Sequence, residues 1–172
     1  VEIVVAQGGL LIYLRHMDSP LGRITLTSDG EALTGLSFEE ERHPRDRTGA
    51  IETPDAILID AERQLQEYFG KWRQSFDLPL KPAGTEFQRQ VWGLLGEIQF
   101  GETISYLELA KRLGNEKAVR AVGMANGRNP ISIVIPCHRV IGANGDLTGY
   151  GGGLWRKEVL LRLEGAIPEL LY

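Results

Sequence analysis

The run Ile133-Val134-Ile135-Pro136-Cys137-His138-Arg139-Val140 sets a thiol, an imidazole and a guanidinium side by side, just after an apolar stretch halted by proline. A thiol is nucleophilic as its thiolate, and a nearby base and positive charge produce that form. Cys137 is the only cysteine among the 172 residues. By type alone, a lone cysteine is more often a small buried hydrophobe than a nucleophile. Its neighbours favour reactivity. His138 is the candidate proton acceptor, and a carboxylate on its far side would fix its tautomer, as in catalytic triads. Glu164, inside Leu163-Glu164-Gly165, is the carboxylate on offer, although a carboxylate beside a helix-ending glycine is usually only a surface charge.

These residues need elements to hold them. Ser132-Ile133-Val134-Ile135 reads as a buried strand ended by Pro136, which cannot donate to a ladder and would aim Cys137 outward. Side chains alternate along extended backbone, so His138 is expected to reach the Cys137 sulfur only through a bridging water. Glu164 follows an expected helix from Arg156 to Leu163. Upstream, Thr85-Glu86-Phe87-Gln88 has the capping-box pattern, and Phe87, Val91, Leu94, Leu95 and Ile98 form one apolar stripe. Ser105-Tyr106-Leu107-Glu108 opens another helix, stopped by Gly114. Asn115 can cap the next, which runs through Ala118, Val119, Ala121, Val122 and Ala125 to Asn126-Gly127.

Two short helices joined by a glycine-containing turn make a helix-turn-helix pattern. Ala118, Ala121 and Gly123 leave the second helix slim, with Arg120 projecting from it. A slim helix can enter a DNA groove, where Arg120 could fill the place of an extruded base. The same small residues serve equally well for tight helix packing with Arg120 solvated.

Toward the N-terminus, Leu10–Met17, Gly22–Thr27 and Ala32–Phe38 are β-prone runs separated by Ser19-Pro20-Leu21-Gly22 and Ser28-Asp29-Gly30. They read as an antiparallel meander. Glu39–Asp46 is a charged loop. Ile57, Leu58, Ala61, Leu65, Tyr68 and Phe69 recur at helical spacing over Pro54–Phe69, and Gly70 ends the run. Phe76–Leu80 reads as a further strand, and Lys81-Pro82-Ala83-Gly84 as a linker. The expected fold class is therefore α/β (α+β) in two modules, residues 1–81 and 82–172.

With 42% hydrophobic and 24% charged residues, the chain has a globular composition. One cysteine excludes an internal disulfide framework and a multi-thiolate zinc site, and His16, His43 and His138 are scattered. No metal is implied, and a reducing, cytoplasmic setting fits. Val1–Leu14 carries Glu2 and no leading positive cluster, unlike a secretory signal, and is too short to span a membrane. A disordered start running into the first strand is expected there. The net charge of -4 conceals an asymmetry. Lys111, Arg112, Lys117, Arg120, Arg128, Arg139, Arg156 and Lys157 face only Glu116 and Asp146 between positions 111 and 157, a net +6 that leaves -10 for the rest. One positive face is what phosphate binding requires, although a solvated uneven surface would look the same.

The signature Pro136-Cys137-His138-Arg139-Val140 resembles the active site of the O6-alkylguanine-DNA alkyltransferases, also called methylated-DNA--protein-cysteine methyltransferases. The resemblance covers about Thr85 to Gly165. It includes Phe100–Tyr106, Ala118–Gly123, Asn126–Pro130, Leu147–Gly153 and Leu160–Gly165, all in the family's order. Met17–Gly22 matches more loosely. The resemblance implies a ribonuclease-H-like N-terminal sheet with a helix, and a mainly helical, winged-helix-like C-terminal domain. It implies double-stranded DNA containing O6-alkylguanine as partner, with no membrane. A monomer is expected, with clustering along DNA left open.

The implied chemistry is irreversible, single-use transfer of the alkyl group to Cys137 after nucleotide flipping, with no cofactor because the thiolate itself is the acceptor, and with O4-alkylthymine as a further candidate substrate. His138, through water, would take the thiol proton, and Glu164 would hold His138. Tyr106 would donate to the guanine and help turn the nucleotide out. Arg120 would occupy the vacated stack, with Ala118, Ala121, Gly123 and Arg128 along the DNA. Asn129 would tie the helices to the active-site segment, and Tyr150 and Gly151 would wall the base pocket. Gly151 stands where some relatives carry serine, and Ser132 where some carry proline, which bears on selectivity. Three rivals remain beside this reading: DNA binding without transfer, a Cys-His-Glu hydrolase and a structural thiol.

Overall fold

Turn chemistry shapes the N-terminal module of the computed structural model, which describes residues 11–40, 47, 49–53 and 55–169. Ser19 Oγ accepts from the Leu21 amide, and Asp29 Oδ1 accepts from the amides of Glu31 and Ala32. These side-chain-closed turns join three strands, β1 (Tyr13–Met17), β2 (Ile24–Ser28) and β3 (Leu33–Phe38). They form the expected antiparallel meander, in the order β1-β2-β3. Helix α1 (Ala56–Phe69) lies against them, with Asp55 Oδ1 capping it through the amides of Ile57 and Leu58. Leu58, Ala61, Leu65 and Tyr68 form its buried face. The expectations for Val1–Leu10, Glu41–Asp46 and Pro54 lie outside the described residues.

Phe76–Leu80 is not a strand. Pro79 has no amide to donate, and the segment contributes a single parallel bridge, Leu33 to Leu80. The contact is made by Leu33 N to Pro79 O and Lys81 N to Leu33 O.

The C-terminal module holds α2 (Glu86–Leu95), β4 (Ile104–Ser105), α3 (Tyr106–Leu113), α4 (Val119–Gly127), β5 (Val140–Ile141) and α5 (Leu154–Leu163). Thr85 and Gln88 complete the expected capping box of α2. The stripe on α2 differs at one end: Phe87 is 36% exposed, whereas Trp92 is buried and its indole N–H donates to Ala125 O, tying α2 to α4. Ser105 Oγ caps α3 through the Glu108 amide, and Gly114 ends it at φ 88°, a left-handed conformation suited to glycine. Asn115 caps a 3₁₀ turn, Glu116–Ala118, before α4 begins, so the second helix starts later than the sequence suggests.

The apolar run before Pro136 is also not a strand. Ile133 has φ 70°, unusual for a β-branched residue, and Ile135 N donates to Ile131 O, closing a tight turn. Ile131, Ser132, Ile133 and Ile135 are buried, so the apolar character reports burial and not extended backbone.

The two modules share one core. Leu36 of β3 bridges Ile131 through Leu36 N to Pro130 O and Ser132 N to Leu36 O. Arg156 donates to Leu21 O while its guanidinium lies 4.8 Å from the Phe38 ring and 4.5 Å from the Trp155 ring. Among the described residues, no helix is long and apolar enough to cross a membrane.

Candidate active site

β4 and β5 pair in parallel, Ile104 with Val140 and Ser105 with Ile141. Cys137–Arg139 runs directly into β5, and Tyr106 follows β4. Two residues of ladder thus bring the thiol segment and Tyr106 together. Pro136 leads into a 3₁₀ turn made of Cys137, His138 and Arg139. Three residues per turn fan these side chains around the axis. This fan, in place of strand alternation, separates the directions of Cys137 and His138. Cys137 is only 4% exposed, so it is not aimed outward as a strand end would aim it.

Glu164 terminates α5 and is buried, not a surface charge. His138 Nε2 lies 2.8 Å from Glu164 Oε1, and Arg139 grips both carboxylate oxygens, Nε to Oε2 at 2.9 Å and Nη2 to Oε1 at 2.8 Å. The Arg139 guanidinium also donates to Ile98 O. Burial alone would push the Glu164 carboxyl up, but the bonds from His138 and Arg139 outweigh it and hold the group at about 2. An ionised carboxylate only accepts, so Nε2 of His138 carries the hydrogen and Nδ1 carries the lone pair. Nδ1 is buried and has no hydrogen-bond partner among the described residues. Burial pushes His138 below its ordinary value; Glu164 opposes this, and Arg139 and Lys157 add to it. A neutral imidazole with its acceptor nitrogen unused can take a proton.

Asn129, at the end of the helix pair, clamps the Ile131–Ile135 turn: its Nδ2 donates to Ile135 O at 2.7 Å and its Oδ1 accepts from Ile131 N. Asn126 Nδ2 reaches the carbonyl of Cys137 itself at 3.4 Å. Lys157, fully buried, donates to the carbonyls of Val140, Thr148 and Gly149, pinning the 147–150 loop to β5. Burial lowers the Lys157 ammonium to about 8, against the pull of a charged Cys137.

The Tyr106 hydroxyl donates to Thr148 O at 2.9 Å. Burial raises the Tyr106 phenol, the Thr148 bond opposes this, and a Cys137 charge adds to it, so the sulfur and the phenol are electrostatic neighbours. A cavity of about 460 Å³ opens beside the Tyr106 ring, lined also by Arg120, Gly123, Arg128, Tyr150 and Gly151 among others. A Cβ at Gly151 would find its nearest neighbour, Gly127 O, at 3.7 Å, so a side chain fits there. Ala118, at the end of the 3₁₀ turn before α4, and Gly123, on α4, are half-buried, and Arg120 and Ala121 are exposed.

The positive charge is redistributed. Arg139, Arg156 and Lys157 are buried and spent on internal partners, leaving Lys111, Arg112, Lys117, Arg120 and Arg128 exposed. Among the described residues, no group of three or more His, Cys, Asp or Glu side chains could hold a metal ion.

Two family models match in succession: "6-O-methylguanine DNA methyltransferase, ribonuclease-like domain" over residues 12–82 and "6-O-methylguanine DNA methyltransferase, DNA binding domain" over residues 86–166. The chain belongs to the 6-O-methylguanine DNA methyltransferase family. The methylated-DNA--protein-cysteine methyltransferase of Methanosarcina acetivorans is 50% identical over 90% of this chain and 99% of its own. The protein of that name from Mycolicibacterium paratuberculosis is 51% identical over 90% of this chain and 93% of its own. The crystal structure of Mycobacterium tuberculosis OGT in complex with DNA has a TM-score of 0.84 and 47% identity, covering 90% of this chain and 93% of that one.

Within this methyltransferase, Tyr68, Asn126 and Lys157 adjoin the site without having been singled out in the sequence. Asn126 lies inside a motif segment, but reads there only as a helix end, and Lys157 falls between two segments and reads only as a basic charge. Tyr68 occupies an ordinary apolar helix position. Its hydroxyl nevertheless donates to Glu164 Oε1 at 2.7 Å.

Proposed function

We infer that Cys137 is the cysteine that accepts the alkyl group when this DNA-repair methyltransferase acts on O6-alkylguanine. The observation that carries the reading is the Glu164–His138 pair. Glu164 fixes the hydrogen on Nε2 and leaves Nδ1 as a buried acceptor one residue from the thiol. The thiol proton passes through a bridging water to Nδ1, and the thiolate attacks the alkyl carbon in line with the C–O bond. The S–C bond forms as the bond to guanine O6 breaks. The electrons left on the guanine are met by a proton or hydrogen bond from Tyr106, which must exchange its Thr148 bond for one to the base. Guanine is restored and a thioether remains. A thioether has no ready leaving group, so each chain acts once.

The target atom is inaccessible within a stacked duplex, and extrusion costs a few kcal/mol. Arg120, exposed on the slim face of α4 beside the cavity, takes the vacated space, and Ala118, Ala121 and Gly123 let the helix approach. Tyr150 and Gly151 wall the receiving pocket, with backbone amides and not a Gly151 side chain serving guanine O6. The exposed cations of α3 and α4 and the turn between them supply the phosphate-binding face.

The test is Cys137→Ala. This variant should bind duplex DNA carrying O6-methylguanine with unchanged affinity and leave the methyl group in place. Repair by the variant would overturn the assignment.

A further inference from the structure

The Glu164–His138 pair receives a hydrogen bond from the other module. Tyr68, on α1, is fully buried, and its ring packs against Phe69, Phe76 and Phe100 at centroid distances of 5.5, 5.4 and 6.1 Å. Phenylalanine would meet that packing. A buried hydroxyl is costly unless partnered, and this one is partnered at 2.7 Å by Glu164 Oε1, the oxygen that also faces Nε2 of His138. Oε1 therefore accepts from three donors: Tyr68, His138 and Arg139.

We propose that Tyr68 is a positioning residue for alkyl transfer: its hydroxyl holds Oε1 of Glu164 against Nε2 of His138 and draws charge from that oxygen, so that Nδ1 stays an unprotonated acceptor. The proposal rests on His138 being the proton acceptor, as argued above. It also gives the N-terminal module a direct part in the chemistry, since Tyr68 and Glu164 are 96 positions apart.

Several groups face this pair. His138 meets Glu164, Arg139 and Lys157, and Tyr68 meets Glu164, Arg139 and Tyr150. Burial first, and then the Glu164 charge, raise the Tyr68 phenol well above its ordinary value, so Tyr68 remains a donor throughout the working pH range. Arg139 and Lys157 already disfavour a charged His138, and Glu164 favours it. Removing the Tyr68 hydroxyl leaves more charge on Oε1, which strengthens the one favourable partner of the imidazolium.

The experiment uses the full chain. Single-turnover transfer from duplex DNA carrying O6-methylguanine is followed against pH for wild type and Tyr68→Phe, and His138 is titrated by NMR with labelled imidazoles. Tyr68→Phe should shift the His138 midpoint and the acid limb of the rate profile to higher pH, with DNA affinity unchanged. Site-specific 3-fluorotyrosine at position 68, a stronger donor, should shift both to lower pH; this arm decides the matter alone if Tyr68→Phe does not fold. His138→Gln separates the two layers of the claim. Wild-type rates in His138→Gln would overturn the acceptor reading and the Tyr68 role together. Reduced rates there, with the His138 midpoint and acid limb unmoved by either change at position 68, would overturn the Tyr68 role alone.

Discussion

His138 and Glu164 meet at 2.8 Å with both side chains wholly excluded from solvent. The pair makes stability depend on pH in one direction. Glu164 is held at about 2 in the fold, below its ordinary 4.5, so its contribution is complete above 4.5 and disappears as pH falls toward 2. His138 is also lowered from 6.5, so below 6.5 the unfolded chain binds its proton more readily and the fold loses stability. Both groups act together on the acid side. Urea unfolding should show stability falling steadily from pH 7 to pH 3, and the slope should diminish in His138→Gln. A flat profile would remove this pair from the stability of the fold.

Glu164→Gln leaves the Arg139 guanidinium without its buried counter-charge and His138 without its carboxylate acceptor. Breaking such a pair costs about 3–5 kcal/mol. Denaturant titration should find a loss of that order, accompanied by a slower alkyl transfer in whatever fraction remains folded. A loss below 1 kcal/mol would indicate that water reaches the site.

Arg120 is exposed and lines the cavity, away from the Glu164 cluster. Arg120→Ala should therefore slow repair in duplex DNA by much more than it slows reaction with free O6-benzylguanine base, which needs no flipping. Equal losses on both substrates would take Arg120 out of the flipping step.

At Gly151 there is space for a side chain, and its backbone is not in the left-handed region. Gly151→Ser should fold with stability within about 0.5 kcal/mol of wild type, as for surface changes that break no special contact. The added hydroxyl faces the pocket and should raise the rate with free O6-benzylguanine. An unchanged rate would show that backbone amides already satisfy guanine O6.

The sequence makes some of this site legible and hides the rest for physical reasons. Cys137, His138 and Arg139 are contiguous, so their shared chemistry can be read directly. Capping residues such as Thr85 and Ser105 act over three positions and place their helices well. Glu164 is weak by itself, because burial of a helix-end carboxylate depends on partners 25 and 26 positions away. Tyr68 is invisible for the same reason, since its apolar helical spacing explains the ring and says nothing of the hydroxyl. Ser132–Ile135 shows the opposite limit: an apolar run signals burial but does not distinguish a strand from a turn held by Asn129. Charge counting fails at Arg139, Arg156 and Lys157, whose long side chains turn inward to carbonyls and a carboxylate. β4 and β5 are two residues each, too short to leave any periodic trace.

The central claim is that Cys137 takes one alkyl group and keeps it. Intact-mass measurement after incubation with duplex DNA carrying a single O6-methylguanine tests it most directly. The account predicts a gain of one methyl per chain, located on the peptide containing Cys137 and saturating there however much DNA is added. Repair continuing beyond one equivalent, or a methyl found on any other residue, would contradict it.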